Sequence, residues 1–459
     1  MSVQSNSAIS PLAQALSEYI AGTVDRPLPP AVVEKTRHHV LDTLAAIISG
    51  SRLKAGKLAA GYVARFAGTP EAAVIGTALM VPAEFAALAN GMAGHADETD
   101  DSHLGGRFHP GCGIVPAALA VAELKDCGGS AFLRAVALGY DIGARLNMSL
   151  GYSAPNNRPG HSTHSLGAAF GAAAASAALL GFDAQRVRHV LSYAAQQASG
   201  VPYWHRDHEH VEKAFDFGGM GARNGVAGAL MVASGCSGVD DPFTGRNHFF
   251  TAFGETPKPD MLTHELGSRF EIMAASIKKW CVGSPIQSVL DATTTLVAEH
   301  HIRPDDVKAM RITMPDDRMH IVDNGAMPDV CVQHLATLAV IDGTVTFAAT
   351  HDHARMDDKA VRAVRNRITL IPSPELTVAR PARQAIVEID LMSGKSVRHH
   401  AKAVRGTPDN PMTTQEIEDK ARDLVAPITG TERAGKLVDV VRSMETMRSV
   451  RELRPLLQA

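Results

Sequence analysis

Cysteine is scarce in this chain of 459 residues. The five present, Cys112, Cys127, Cys236, Cys281 and Cys331, are scattered, odd in number and never spaced as CxxC. That pattern argues against a disulfide framework and a thiolate zinc site, and it fits a reducing compartment. An excess of positive charge is missing as well. With Lys+Arg 45 against Asp+Glu 48 the formal net charge is -3, which offers nucleic acid or anionic lipid no basic surface. The first residues, MSVQSNSAISPLAQALSEY, lack the basic segment and apolar run of a secretory signal, so a cytoplasmic protein is expected. No internal repeat or low-complexity tract interrupts the chain. The one long uncharged run, Ser165 to Phe182, is built from Ala and Gly, which favour membrane insertion far less than Leu, Ile or Phe. It reads as a buried helix packed through small residues, and no membrane partner is expected.

What remains is ordinary globular material of large size. Hydrophobic residues make up 45% and charged residues 20%, enough for two units, or one large unit with an insertion, and a deep pocket. The first half reads as successive helices. Pro11 and Pro30 suit first helical positions, and Val33, Val40, Leu41, Leu44 and Ile48 recur at helical spacing before Gly50, a C-cap candidate. Further helices are expected over 82–96, 112–124, 131–150, 161–180, 184–199 and 218–234. The texture changes near residue 276. After a helix over 285–300, the segments 309–314, 385–391 and 396–401 read as short strands, the last two joined by a turn at Ser393-Gly394-Lys395, with helices over 328–341 and 358–365 between them. Beyond Pro411, Thr413 and Glu416 form a capping-box signature for the first of two closing helices.

Three clusters carry candidate chemistry. The first is His95 to Pro110, HADETDDSHLGGRFHP. If the preceding helix runs past Gly94, His95, Glu98 and Ser102 share one stripe, while Asp97 and Asp101 share another. Gly105 and Gly106 then break the helix, and Pro110 pushes His109 into an extended conformation at a loop mouth, where neighbouring carboxylates tune its imidazole for acid–base work. The second cluster, Gly160-His161-Ser162-Thr163-His164-Ser165, opens the Ala-rich helix, whose N-terminal N–H groups suit a carboxylate. His161 is the natural proton-transfer partner there, with capping by the hydroxyls and His164 as the plainer alternative. The third is His205, Asp207, His208 and His210, followed by Lys213. Its alternating spacing matches no zinc motif, so Lys213 reads as a fixed cation near a bound carboxylate, a role Lys278 could share.

Together these residues resemble the MmgE/PrpD family, which includes 2-methylcitrate dehydratases, cis-aconitate decarboxylases and iminodisuccinate epimerases. The family's HAL(D/E)FDDTH…HP motif is similar to His95–His103 with His109-Pro110. Its GxH-x-T-x-x-x-G motif is similar to Gly160–Gly167, with Pro159 ahead, and its two lysines look like Lys213 before Gly218 and Lys278 before Trp280. The resemblance spans nearly the whole chain. It implies a mainly α protein: a helical domain from both chain ends (1–275 and 406–459), a smaller inserted α+β lid (276–405), and a homodimer. By position it assigns catalytic roles to His109, His161, Glu98 and Ser102, and places Lys213, Lys278, His103 and Asp101 with the substrate. No metal or other cofactor is implied. Three positions depart from the family: Ser102 stands for Thr, Gly283-Ser284-Pro285 carries no His, and Gln333, His334 and Leu335 occupy the place of a Tyr.

The expected activity is that of a cofactor-independent lyase of hydratase or dehydratase type. It would move a proton at a carbon beside a carboxylate of a small di- or tricarboxylate such as 2-methylcitrate. The two lysines would stabilise the charge that builds on that carboxylate. Which histidine is base and which is acid stays open. Alternatives are an epimerase, a decarboxylase acting on iminodisuccinate- or cis-aconitate-like substrates, a non-catalytic carboxylate-binding protein, and a hydrolase with metal at His205, Asp207, His208 and His210.

Overall fold

The computed structural model describes residues 9–152 and 160–458, with the side chains of His205 and Arg318 left aside; Pro159 lies outside this set. The protein is mainly α, and among the described residues its strands form one four-stranded sheet and two two-stranded pairs. Two compact units divide it: a helical unit comprising the chain through Ala96, Asp100–Ala275 and the residues from Ile417, and an α+β unit of Asp97–Thr99 with Ser276–Glu416. The second boundary falls later than the expected 405. Residues just past 405 are tied into the α+β unit, where Ile277 N–H donates to the Gly406 carbonyl at 3.0 Å and Arg405 pairs with Glu416.

The helical unit contains α1 (Pro11–Ala21), α2 (Pro30–Gly50), α3 (Lys54–Val63), α4 (Ala83–Gly94), α5 (Pro110–Lys125), α6 (Gly129–Ser149), α7 (Thr163–Leu179), α8 (Ala184–Gln196) and α9 (Met220–Ala233). Proline occupies the first turn of α1, α2 and α5, where its missing N–H has no helical acceptor to lose. In α2 the core stripe starts at Val32, with Val33 only half-buried, because Val32, Thr36, Val40 and Leu44 share the inner face. Gly50 closes α2 from inside the last turn instead of capping it. A Cβ there would stand 1.9 Å from the Ala93 carbonyl oxygen, so the residue serves the close approach of α2 and α4. The Ala-rich α7 is buried nearly all round and packs on α5, α6 and α9. Among the described residues no helix is long and apolar enough to cross a membrane. Leu138, Ile142, Phe170, Val187 and Phe249 share one core around α6 to α8.

In the α+β unit a four-stranded sheet is ordered β2-β1-β3-β4, with β1 (Val307–Pro315), β2 (Ile368–Ser373), β3 (Ala385–Leu391) and β4 (Ser396–Ala401). Strands β1 and β2 run parallel; the other pairs are antiparallel, with Ala385 opposite Ala401 and Val387 opposite His399. Along β3, Ala385, Val387 and Ile389 face a core completed by α10 (Gln287–His300) and α11 (Val332–Asp342), while α12 (Lys359–Arg365) leads into β2. The sequence does not signal β2. It is an edge strand carrying Pro372, without the alternation of a half-buried strand.

The helices α13 (Thr414–Thr429) and α14 (Thr431–Arg442) come next, followed by short helical turns and the helix Arg454–Leu457. The capping box forms, with Glu416 N–H donating to Thr413 Oγ1 at 3.2 Å and Thr413 N–H to Glu416 Oε2 at 2.8 Å. On α13, Lys420 Nζ donates to Asp42 Oδ1 of α2 at 2.6 Å, with the Asp42 side chain fully buried. Burial pushes the Asp42 carboxyl up to about 6, against the opposing pull of Lys420. Removing one partner of such a pair leaves an uncompensated buried charge. Lys420→Met is therefore expected to cost about 3–5 kcal/mol in urea unfolding, most of it recovered in the double variant with Asp42→Leu. A single variant as stable as the parent would show that the pair does not tie the chain end to α2.

Candidate active site

The segment after α4 departs from the helical expectation. The helix ends at Gly94, and His95 takes a non-helical conformation, so the stripes expected for His95, Glu98 and Ser102 and for Asp97 and Asp101 do not form. Local side-chain bonds win instead. The Asp97 carboxylate accepts from Thr99 N–H at 2.9 Å and from the Thr99 hydroxyl at 2.7 Å, an Asx turn that competes with helix propagation. Ser102 and His103 then form a short buried strand. His109 is extended (φ -105°, ψ 93°) ahead of Pro110, but its ring is buried and does not project into solvent.

In the helical unit the organising group is Asp100, which is fully buried. Its Oδ2 lies 2.9 Å from His95 Nδ1 and its Oδ1 3.1 Å from His109 Nδ1. A carboxylate can only accept, so each Nδ1 carries a hydrogen, an assignment that follows from the bonding pattern. Burial favours the neutral acid, yet His95 and His109, by charge and hydrogen bond, hold the Asp100 carboxyl well below its ordinary range. Burial lowers His95, with Asp100 opposing.

Beside His109 stands His164, its ring centroid 5.4 Å away, on the first turn of α7. His164 stacks on Phe217 at 3.5 Å and 9°, and burial holds its pKa well below 6.5. His161 is placed differently: its ring packs on Phe253 at 4.7 Å. The histidine brought up to His109 is thus the one read as a helix cap. The Ser162 hydroxyl does not cap α7 either, but donates to Asp216, whose carboxyl burial pushes up to about 7.

Phe217 and Asp216 lie in a single π-helical turn, Phe215–Gly219, between the short helix Val211–Ala214 and α9. Gly91 and Gly218 let this turn press against α4; a Cβ on Gly218 would stand 2.2 Å from the Gly91 carbonyl oxygen. On the short helix, Lys213 places Nζ 5.3 Å from the Phe217 ring centroid and 5.5 Å from that of Trp204, a cation–π arrangement. The His205 side chain lies outside the described set, and the other described members of the third cluster do not converge. His208 is exposed, His210 is buried with its ring 5.2 Å from His95, and Asp207 accepts from Glu209 N–H at 3.0 Å and Lys213 N–H at 2.9 Å. A different set could hold a metal: His95, Asp100 and His109 each offer a ligand atom, all within 4.8 Å of one another.

Two residues expected to face substrate are committed to the protein. The Asp101 carboxylate accepts from Tyr140 Oη at 2.6 Å and Gly111 N–H at 2.9 Å, and lies 2.6 Å from His39 Nδ1. These contacts hold the carboxylate at full burial. His103 Nδ1 accepts from Gly106 N–H at 2.8 Å, and its Nε2 lies 3.4 Å from Glu271. In the α+β unit, Lys278 Nζ donates to the Glu98 carbonyl at 2.8 Å and lies 3.2 Å from Glu98 Oε2, both side chains buried.

The MmgE/PrpD N-terminal domain matches residues 14–262, and the MmgE/PrpD C-terminal domain matches residues 280–446. The chain belongs to the MmgE/PrpD family. Its curated relatives include the cis-aconitate decarboxylase-like protein oryM of Aspergillus oryzae, 27% identical over 94% of each chain. Also similar are the cis-aconitate decarboxylases of Homo sapiens, 21% identical over 93% of this chain and 90% of the relative, and of Aspergillus terreus, 22% identical over 94% and 92%. As an MmgE/PrpD protein the chain falls among enzymes of dehydratase and decarboxylase type.

Acid should expose the histidine cluster. Histidines held neutral when folded take up protons on unfolding, so their contribution is present above pH 6.5 and is lost as pH falls below it. His164→Phe keeps the stack on Phe217 and removes one such group. The acid limb of thermal stability, followed from about pH 7 to pH 5, is expected to become shallower than in the parent. An unchanged limb would mean that His164 is already charged in the folded protein.

Proposed function

We propose that this protein is a cofactor-independent lyase acting at a carbon beside a carboxylate of a small di- or tricarboxylate, with decarboxylation of a cis-aconitate-like substrate as its reaction. The observation that carries the reading is the His109–Asp100 pair, a buried imidazole with a fixed tautomer, supported by relatives named for that decarboxylation. As carbon dioxide leaves, the carbon–carbon bond breaks and its electron pair stays on the substrate, spread towards the remaining carboxylate. Lys213 and Lys278 oppose that growing negative charge, and an Nε2–H of a protonated histidine delivers the proton that completes the product. His109 has the support for this role, because Asp100 offsets the positive charge of its imidazolium. Glu98 and Ser102 complete the set, and His161 and His164 compete for the second proton-transfer position. Dehydration of a 2-methylcitrate-like substrate would use the same groups. The working form is proposed to be a cytoplasmic homodimer.

Purified protein incubated with cis-aconitate should release carbon dioxide, whereas a dehydratase would form a conjugated double bond from a hydroxy acid, read by ultraviolet absorbance. His109→Ala is expected to lower kcat/KM by about 10²–10⁴-fold, the usual worth of a positioned acid–base group. Comparing His161→Ala with His164→Ala assigns the second position to whichever loses more. Near-parental turnover in His109→Ala, Lys213→Ala and Lys278→Ala alike would sink the reading. A second reading rests on the convergence of His95, Asp100 and His109 on a possible metal. If an ion works there, a chelator should abolish turnover and added zinc or manganese restore it; in the proton-transfer reading the chelator changes nothing.

A further inference from the structure

The triplet Asp97–Glu98–Thr99 groups with the α+β unit although the residues on both sides group with the helical one. Lys278 holds Glu98, as described. Asp97 has a different partner, 254 positions on in the chain: its Oδ2 lies 3.0 Å from His351 Nε2. On the other side of that ring, His351 Nδ1 lies 2.8 Å from the Phe347 carbonyl oxygen and 3.0 Å from Thr350 Oγ1. The Thr350 hydroxyl donates to the same carbonyl at 2.8 Å, which leaves its oxygen to accept. The Phe347 carbonyl can only accept, so Nδ1 carries a hydrogen; a second hydrogen on Nε2 would face the Asp97 carboxylate and make the ring an imidazolium. The Phe347 ring packs against it with centroids 4.3 Å apart.

We propose that His351 is a positioning residue whose imidazolium grips Asp97 and so fixes the backbone of residues 97–99, setting the direction of the Glu98 carboxylate. The inference rests on the place proposed for Glu98 in the catalytic set. Burial opposes a charge on His351, but Asp97, by hydrogen bond and by charge, outweighs it and pushes the imidazole up to about 9, with the Phe347 carbonyl and Asp329 adding to the rise. Asp97 moves the other way: burial would raise it, and His351 and Thr99 hold it below its ordinary value. A raised histidine contributes below its unfolded value and loses that contribution as pH rises through about 9. The grip therefore holds across neutral pH and loosens in alkali.

The test is a mutant cycle read in two ways. Asp97→Asn, His351→Gln and the double variant are assayed for kcat and KM, and backbone amide exchange of residues 97–99 is followed by mass spectrometry in the full chain without substrate. Each single variant is expected to lower kcat about tenfold or more, with KM changed less than about threefold, and the double variant to be no slower than the slower single. Amides of 97–99 should exchange faster in all three, while those of the β-sheet stay protected. His351→Lys, which keeps a cation there, should recover part of kcat and move the alkaline loss of activity to higher pH. Unchanged kcat and unchanged exchange in His351→Gln would overturn the grip. If the parent turns over none of the carboxylates, the functional reading fails, and amide exchange still decides whether His351 holds the segment.

Discussion

Ionised carboxylates can be buried only where something meets them, and the segment after α4 buries Asp97, Glu98, Asp100 and Asp101 almost side by side. Local bonds meet part of this need, Thr99 donating to Asp97 and His95 and His109 flanking Asp100. Each has its own partners: Asp97 has His351, Glu98 has Lys278, Asp100 has His95 and His109, and Asp101 has His39, Tyr140 and the Gly111 amide. The conformation of the loop is the outcome of those pairings. So is its division, with Asp97 and Glu98 answering to partners in the α+β unit and Asp100 and Asp101 to partners in the helical one.

The pairings also sort the acids by use. Asp101 is held by Tyr140, His39 and the Gly111 amide. Asp100 gives one oxygen to each of two imidazoles and turns their Nε2 atoms outward from itself, an arrangement suited to moving protons. Burial draws the pKa values of His95 and His164 down, and the Lys213 ammonium, resting on Trp204 and Phe217, adds to that fall.

Much of this was legible in the sequence wherever a local signal existed. Pro110 sets His109 in extended backbone, strands β3 and β4 follow from alternation around Gly394, and the Thr413/Glu416 box opens α13. The two lysines stand out because each precedes an aromatic residue and a glycine. What could not be read depends on partners far along the chain. Helical periodicity carried past Gly94 put Asp100 on neither expected stripe, because spacing cannot register an Asx turn at Asp97 or a bond to a histidine nine positions later. His161 and His164 both sit at the mouth of α7, and only the stacking partner Phe217, more than fifty positions on, separates them. His351 follows a short helix with no motif around it. The edge strand β2 was hidden by Pro372.

The π-helical turn at Phe215–Gly219 has a consequence for how this protein can change in length. An α-helix advances about 100° per residue, so a wide turn that absorbs one extra residue offsets everything before it against everything after it. Phe217 lies inside the offset, Lys213 before it and α9 after it. Loss of a single residue here would relax the turn into regular helix and swing Lys213 about a quarter turn off the aromatic rings it rests on, with α9 otherwise undisturbed. Insertions and deletions are tolerated in most loops. At this point in a helix the reading of length is as strict as the identity of a side chain.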